Sequence, residues 1–81
     1  MDLLEKYGID KDKIESINIY LDDNVPECME GILRIGSVIV STSNQDFDIQ
    51  EFVDNAEFRS ERAIENFVNR RLGTKIAHVI E

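Results

Sequence analysis

The spacing of apolar residues changes period partway along this chain, and that change constrains the fold more than any other feature. From Ile14 to Leu21 the residues alternate, with Ile17, Ile19 and Leu21 on one face and Ser16, Asn18 and Tyr20 on the other. A period of two predicts a strand buried on one side only. After Asp48 the period lengthens. Ile49, Phe52, Val53 and Ala56 fall at i, i+3, i+4 and i+7, and the stripe resumes at Ala63, Ile64, Phe67, Val68 and Leu72. That spacing predicts helix. A chain that must bury one sheet face and one helical stripe does so by layering one against the other.

Punctuation residues supply the remaining elements. Leu3, Leu4 and Tyr7 are spaced for a short helix ended by Gly8, and Asp10-Lys11-Asp12-Lys13 reads as a polar turn. Asp22-Asp23-Asn24-Val25-Pro26 ends the first strand, because Pro26 has no N–H to give a ladder. Gly31 to Thr42 holds two apolar runs, Ile32-Leu33-Arg34-Ile35 and Val38-Ile39-Val40, separated by Gly36-Ser37. Gly in the first central position fits a two-residue type II′ hairpin turn. The alternative is one long strand with a bulge at Gly36. The hairpin is preferred, since twelve unbroken strand residues exceed the usual length. Asp48 and Glu51 resemble a capping box at the start of a helix. Ser60 is placed to cap a second helix after a break near Glu57, with one long bent helix as the alternative. Gly73 follows Arg70 and Arg71 as a C-terminal cap, and Lys75 to Ile80 reads as a last strand. The expected fold class is α+β, in the order α-β-β-β-α-α-β: a largely antiparallel sheet of about four strands with two or three helices on one face.

The length of 81 residues suits a single small domain spanning 1–81. At 42% hydrophobic and 32% charged, the chain fits a folded protein better than a disordered one. No apolar run nears the roughly 20 residues of a membrane span, and no basic segment followed by an apolar run marks a signal peptide. The single cysteine, Cys28, excludes an internal disulfide, and a cytoplasmic location is the default.

Charge carries the functional signal. The net charge is -8, yet residues 14–58 hold ten acids against one base, Arg34, while the rest of the chain is close to neutral. Two acidic segments cause the imbalance. One runs through Asp22, Asp23, Asn24, Glu27 and Glu30, and the other through Asn44, Asp46, Asp48, Glu51, Asp54 and Glu57. Carboxylates ~5 Å apart repel by roughly 3 kcal/mol at an effective dielectric near 20, so such clusters call for a cation or for screening. This balance argues against nucleic acid, whose binding relies on Lys and Arg. The basic residues Arg59, Arg62, Arg70 and Arg71 alternate with Glu57, Glu61 and Glu65, as on a solvated helix face.

The hairpin at Gly36-Ser37 would bring both acidic segments to one end of the sheet. Asp22, Asp23, Asn24 and Glu27 would then face Asn44, Asp46 and Asp48 in a site of hard oxygens. Calcium accepts six to eight such ligands flexibly and is favoured over magnesium, which demands a tighter octahedron. If Gly36 is instead a bulge, the segments lie at opposite ends and the shared site disappears. Ordinary helix capping and solubility also account for acids in turns. An EF-hand is rejected: counting from Asp46, Glu51 occupies the position where the loop needs Gly.

Other reactive residues offer less. His78, between apolar neighbours, is expected to be packed or half-buried, and no nucleophile motif accompanies it. Carboxylates near Cys28 should blunt its reactivity. Gly8, Gly31, Gly36 and Gly73 are isolated and make no phosphate-binding loop.

The stretches Ile17-Asn18-Ile19-Tyr20-Leu21-Asp22-Asp23-Asn24-Val25-Pro26 and Ser43-Asn44-Gln45-Asp46-Phe47-Asp48 make the chain resemble small acidic proteins of methanogenic archaea, among which a calcium-binding α+β type is described. The resemblance implies calcium binding, supplies no ligand pattern and says nothing of physiological role; an enzyme is disfavoured because no nucleophile, base and orienter appear together. The expectation is a non-enzymatic calcium-binding protein. The alternative is an acidic protein-interaction subunit that docks a basic protein partner and has no specific metal site.

Overall fold

A computed structural model describes residues 3–22, 31–53 and 56–80. The elements in chain order are α1 (Leu3–Lys6), β1 (Ile14–Leu21), β2 (Ile35–Thr42), β3 (Asp46–Asp48), α2 (Glu61–Leu72) and β4 (Ala77–Ile80). Two 3-10 turns, Lys11–Lys13 and Gln50–Phe52, are also present among the described residues. The strands form one sheet in the order β3-β2-β1-β4. β1 pairs antiparallel with β2, and β2 with β3, while β4 runs parallel to β1. The fold is α+β.

The alternation of β1 buries Ile17 and Ile19 completely. They share one face of the sheet with Val38 and Val40 of β2 and Ala77 of β4. Against this face pack Leu4 of α1, Ile49 and Phe52 around the second 3-10 turn, and Ile64, Val68 and Leu72 of α2. Burying each large aliphatic or aromatic side chain contributes about 1.5–3 kcal/mol. α2 begins where Ser60 Oγ accepts from the Ala63 N–H at 3.1 Å. It ends at Gly73, whose φ of 69° is left-handed and whose N–H returns to the Asn69 carbonyl. Phe67 on α2 meets Phe52 edge-on at 5.9 Å and Phe58 at 5.3 Å, with the Arg71 guanidinium 5.8 Å from the Phe52 and Phe67 ring centres.

Gly36 is a bulge, not a hairpin turn. Tyr20 pairs with Ser37 and Leu21 with Ile35, so Gly36 is an extra residue in β2. The extra residue reverses the alternation, which is why odd-numbered Ile35 is buried with even-numbered Val38 and Val40. A β-carbon at Gly36 would lie 3.1 Å from the Tyr20 carbonyl oxygen and 3.2 Å from the Asp22 nitrogen, so a side chain there would press the backbone of β1 back by a few tenths of an ångström. A second register shift, at Glu15, turns Ile14 toward the core in the same way. The expected strand Ile32–Ile35 is not separate: Leu33 makes an isolated bridge to Phe58, and β2 starts only at Ile35.

The hairpin lies instead between β2 and β3. The Thr42 hydroxyl organises it by donating to the Gln45 carbonyl at 2.8 Å and accepting from the Gln45 and Asn44 N–H groups. Asp46-Phe47-Asp48, expected as part of an acidic loop, is therefore a strand. The helix expected from Ile49 shortens to the Gln50–Phe52 turn, and Asp48 does not cap it, because Asp48 belongs to the ladder opposite Ile39. Ile49 and Phe52 are buried as the stripe requires, but Val53 is exposed.

Candidate functional site

Of the seven candidate ligands, the four described ones, Asp22, Asn44, Asp46 and Asp48, do not converge. β2 is antiparallel to both neighbours, so Asp22, just after β1, sits at the Ile35 end, and Asn44 sits at the Thr42 end. Asp22 donates its N–H to the Arg34 carbonyl beside the bulge. Asp46 lies opposite Ser41 and Asp48 opposite Ile39. Even Asp48, opposite Ile39, stands four strand steps from Ile35, roughly 13 Å at strand rise, and a strand further across the sheet. Calcium ligands must lie within about 2.6 Å of one ion, so Asp22 and the Asn44–Asp48 segment cannot share one. Asp23, Asn24 and Glu27 lie outside the described residues. Among the described residues no three His, Cys, Asp or Glu side chains gather as a metal group. The bulge thus parts Asp22 from Asn44, Asp46 and Asp48.

Two acids of the second segment are paired with bases. Glu51 binds Lys6 of α1, and Glu57 binds Arg34 at 3.1 Å. The Glu51 carboxylate raises the Lys6 pKa, first through its hydrogen bond and then through its charge. Neither ion pair involves Asp46 or Asp48, and both of those residues are exposed.

The backbone of β3 explains where those two acids point. The Thr42 N–H donates to the Gln45 carbonyl and the Ile49 N–H to the Val38 carbonyl, both at 2.9 Å. In an antiparallel ladder the residues between such positions turn their peptide groups the other way. The N–H and C=O groups of Asp46 and Asp48 therefore face away from β2, along the outer side of a terminal strand. Their side chains stand on the sheet face opposite the helices, since Phe47 between them packs against the core.

That outer face carries Asn18 and Tyr20 of β1, Ile39 and Ser41 of β2, and His78 and Ile80 of β4. None of the apolar members, Tyr20, Ile39 and Ile80, belongs to the set packed on the core. His78, expected to be packed or half-buried, is exposed opposite Asn18.

The other terminal strand is closed. The Ala77 N–H donates to Asn69 Oδ1 at 2.9 Å, and the Val79 N–H donates to Glu65 Oε2 at 3.0 Å. Thr74 Oγ1 also donates to Asn69 Oδ1, at 2.8 Å. Four helical residues rise about 6 Å and two strand residues about 6.6 Å, so an i, i+4 pair on α2 matches alternate N–H groups of β4. Sequence reasoning missed this pair. The available signal was a polar Glu65–Asn69 spacing directly beside the buried Ile64–Val68 stripe.

Beside β3 lies a cleft of about 130 Å³, lined by Gly8, Ile9, Asp10, Lys13, Thr42, Asn44, Gln45 and Phe47. It is the size of one side chain. Among the described residues no helix is long and apolar enough to cross a membrane.

Comparison with protein-family models, curated proteins and solved structures returns no match. The resemblance to acidic archaeal proteins rests on the residues quoted for it alone.

Proposed function

We propose that this chain is a non-enzymatic, acidic protein-interaction module that docks a basic protein partner. The observation that carries the reading is the pair Asp46 and Asp48, exposed on a terminal strand and left out of the ion pairs that engage Glu51 and Glu57. Charge of one sign beside an open sheet edge steers a partner of the other sign and disfavours a second copy of the same chain. Titrating the labelled protein with a Lys-rich peptide, at low and at high salt, tests this. Saturable amide shifts centred on residues 37–48 and weakened by salt are expected. Diffuse shifts, or shifts unaffected by salt, contradict it.

A weak calcium site is the second reading, favoured by the oxygen density of each acidic segment. The ligands would divide into two sets, Asp22, Asp23, Asn24 and Glu27 in one and Asn44, Asp46 and Asp48 in the other. Calcium shifts that saturate within one set, and that sodium at equal ionic strength does not reproduce, would support it. Shifts common to calcium, magnesium and sodium would reduce it to screening.

A further inference from the structure

We infer that the partner binds by adding an extended strand to the outer side of β3, and that this strand carries the pattern basic–apolar–basic. This rests on the proposed docking of a basic partner and specifies how it docks.

Three observations lead there. β3 is terminal in the sheet, with the peptide groups of Asp46 and Asp48 turned outward, so two N–H groups and two C=O groups can pair with a new strand. The other edge is not available in this way, because Asn69 and Glu65 occupy the N–H groups of Ala77 and Val79. The side chains of β3 also alternate, with Asp46 and Asp48 on the outer face and Phe47 toward the core beside the cleft.

Alternation then fixes the pattern. Residues directly opposite one another in a ladder project to the same face. The residues opposite Asp46 and Asp48 stand beside those carboxylates, which selects Lys or Arg at both. The residue between them stands beside Phe47 and the mouth of the cleft, which selects one apolar side chain. A second copy of this chain is disfavoured as occupant, because each copy has a net charge of -8 and would set Asp46 and Asp48 against acids.

The ladder also predicts which peptide N–H groups matter. In an added strand antiparallel to β3, those of the two basic residues point at β3 and that of the apolar residue points away; in a parallel one the two exchange roles. The probe is a nine-residue peptide centred on Lys-Val-Lys, compared with versions N-methylated at a central Lys or at the central Val. All three carry the same charge. Methylating a Lys nitrogen should weaken binding about tenfold, the loss of one hydrogen bond. Methylating the Val nitrogen should leave affinity unchanged for an antiparallel strand, with the two effects exchanged for a parallel one. An isomer centred on Lys-Lys-Val should bind more weakly than the parent. Charge reversal by Asp46→Lys or Asp48→Lys should each cost about three- to fivefold, with the circular dichroism spectrum unchanged. Equal affinity for the two methylated peptides, with salt-dependent binding retained, would overturn strand addition while leaving basic docking intact. Failure of every basic peptide to bind would overturn both.

Discussion

β4 and β3 both end the sheet, and they treat their outward peptide groups differently. At β4 the Ala77 and Val79 N–H groups are taken by Asn69 and Glu65 of α2. At β3 the corresponding groups of Asp46 and Asp48 face outward, guarded among the described residues by two carboxylates and by the strand's length of three residues. Occupying the N–H groups of an edge with helix side chains denies those donors to any partner strand. Guarding an edge with charge removes it only from partners of like charge. The difference separates a structural edge from a selective one.

The most severe way to disturb the closed edge is to loosen the helix that closes it. Ile64→Ala removes a fully buried anchor of α2 and should cost about 2–5 kcal/mol in urea unfolding. Next is Gly36→Ala, which forces a β-carbon against the backbone of β1 and should cost about 1–3 kcal/mol. An unchanged midpoint would mean that the bulge is not as tight as described. Asn69→Ala deprives the Ala77 N–H of its acceptor and should cost about 1–3 kcal/mol. It should also create a second open edge, visible as concentration-dependent association in sedimentation. By contrast Asp46→Asn and Asp48→Asn should change stability by less than about 0.5 kcal/mol, while weakening any basic ligand. The smallest effect concerns the Lys6–Glu51 pair, which joins α1 to the turn after β3. Its contribution is complete below the ordinary Lys value of 10.5 and fades as pH rises through the raised pKa. Stability curves of the wild type and Lys6→Gln should therefore converge only in strong alkali.

Where local pattern and tertiary role agreed, the sequence was readable. β1 follows its alternation, and α2 follows its stripe between Ser60 and Gly73. Gly36 was misread because Gly-Ser between apolar runs fits both a tight turn and a bulge. What decides between them is the approach of Tyr20 and Asp22, which are distant in sequence. β3 was missed because acids are depleted in strands, and only its place at an edge lets Asp46 and Asp48 stay solvated. Ile49 began an apparent helical stripe, yet its N–H is committed to Val38, so the ladder prevails and helix is delayed to Glu61. The acidity of the candidate site was legible. The separation of Asp22 from Asp46 and Asp48 was not, because it depends on the bulge.

Amide hydrogen exchange read residue by residue tests the difference between the edges most directly. The account predicts that Ala77 and Val79, although on a terminal strand, exchange slowly, while Asp46 and Asp48 exchange at nearly unprotected rates. Equal protection at the two edges, or faster exchange at β4 than at β3, would contradict it.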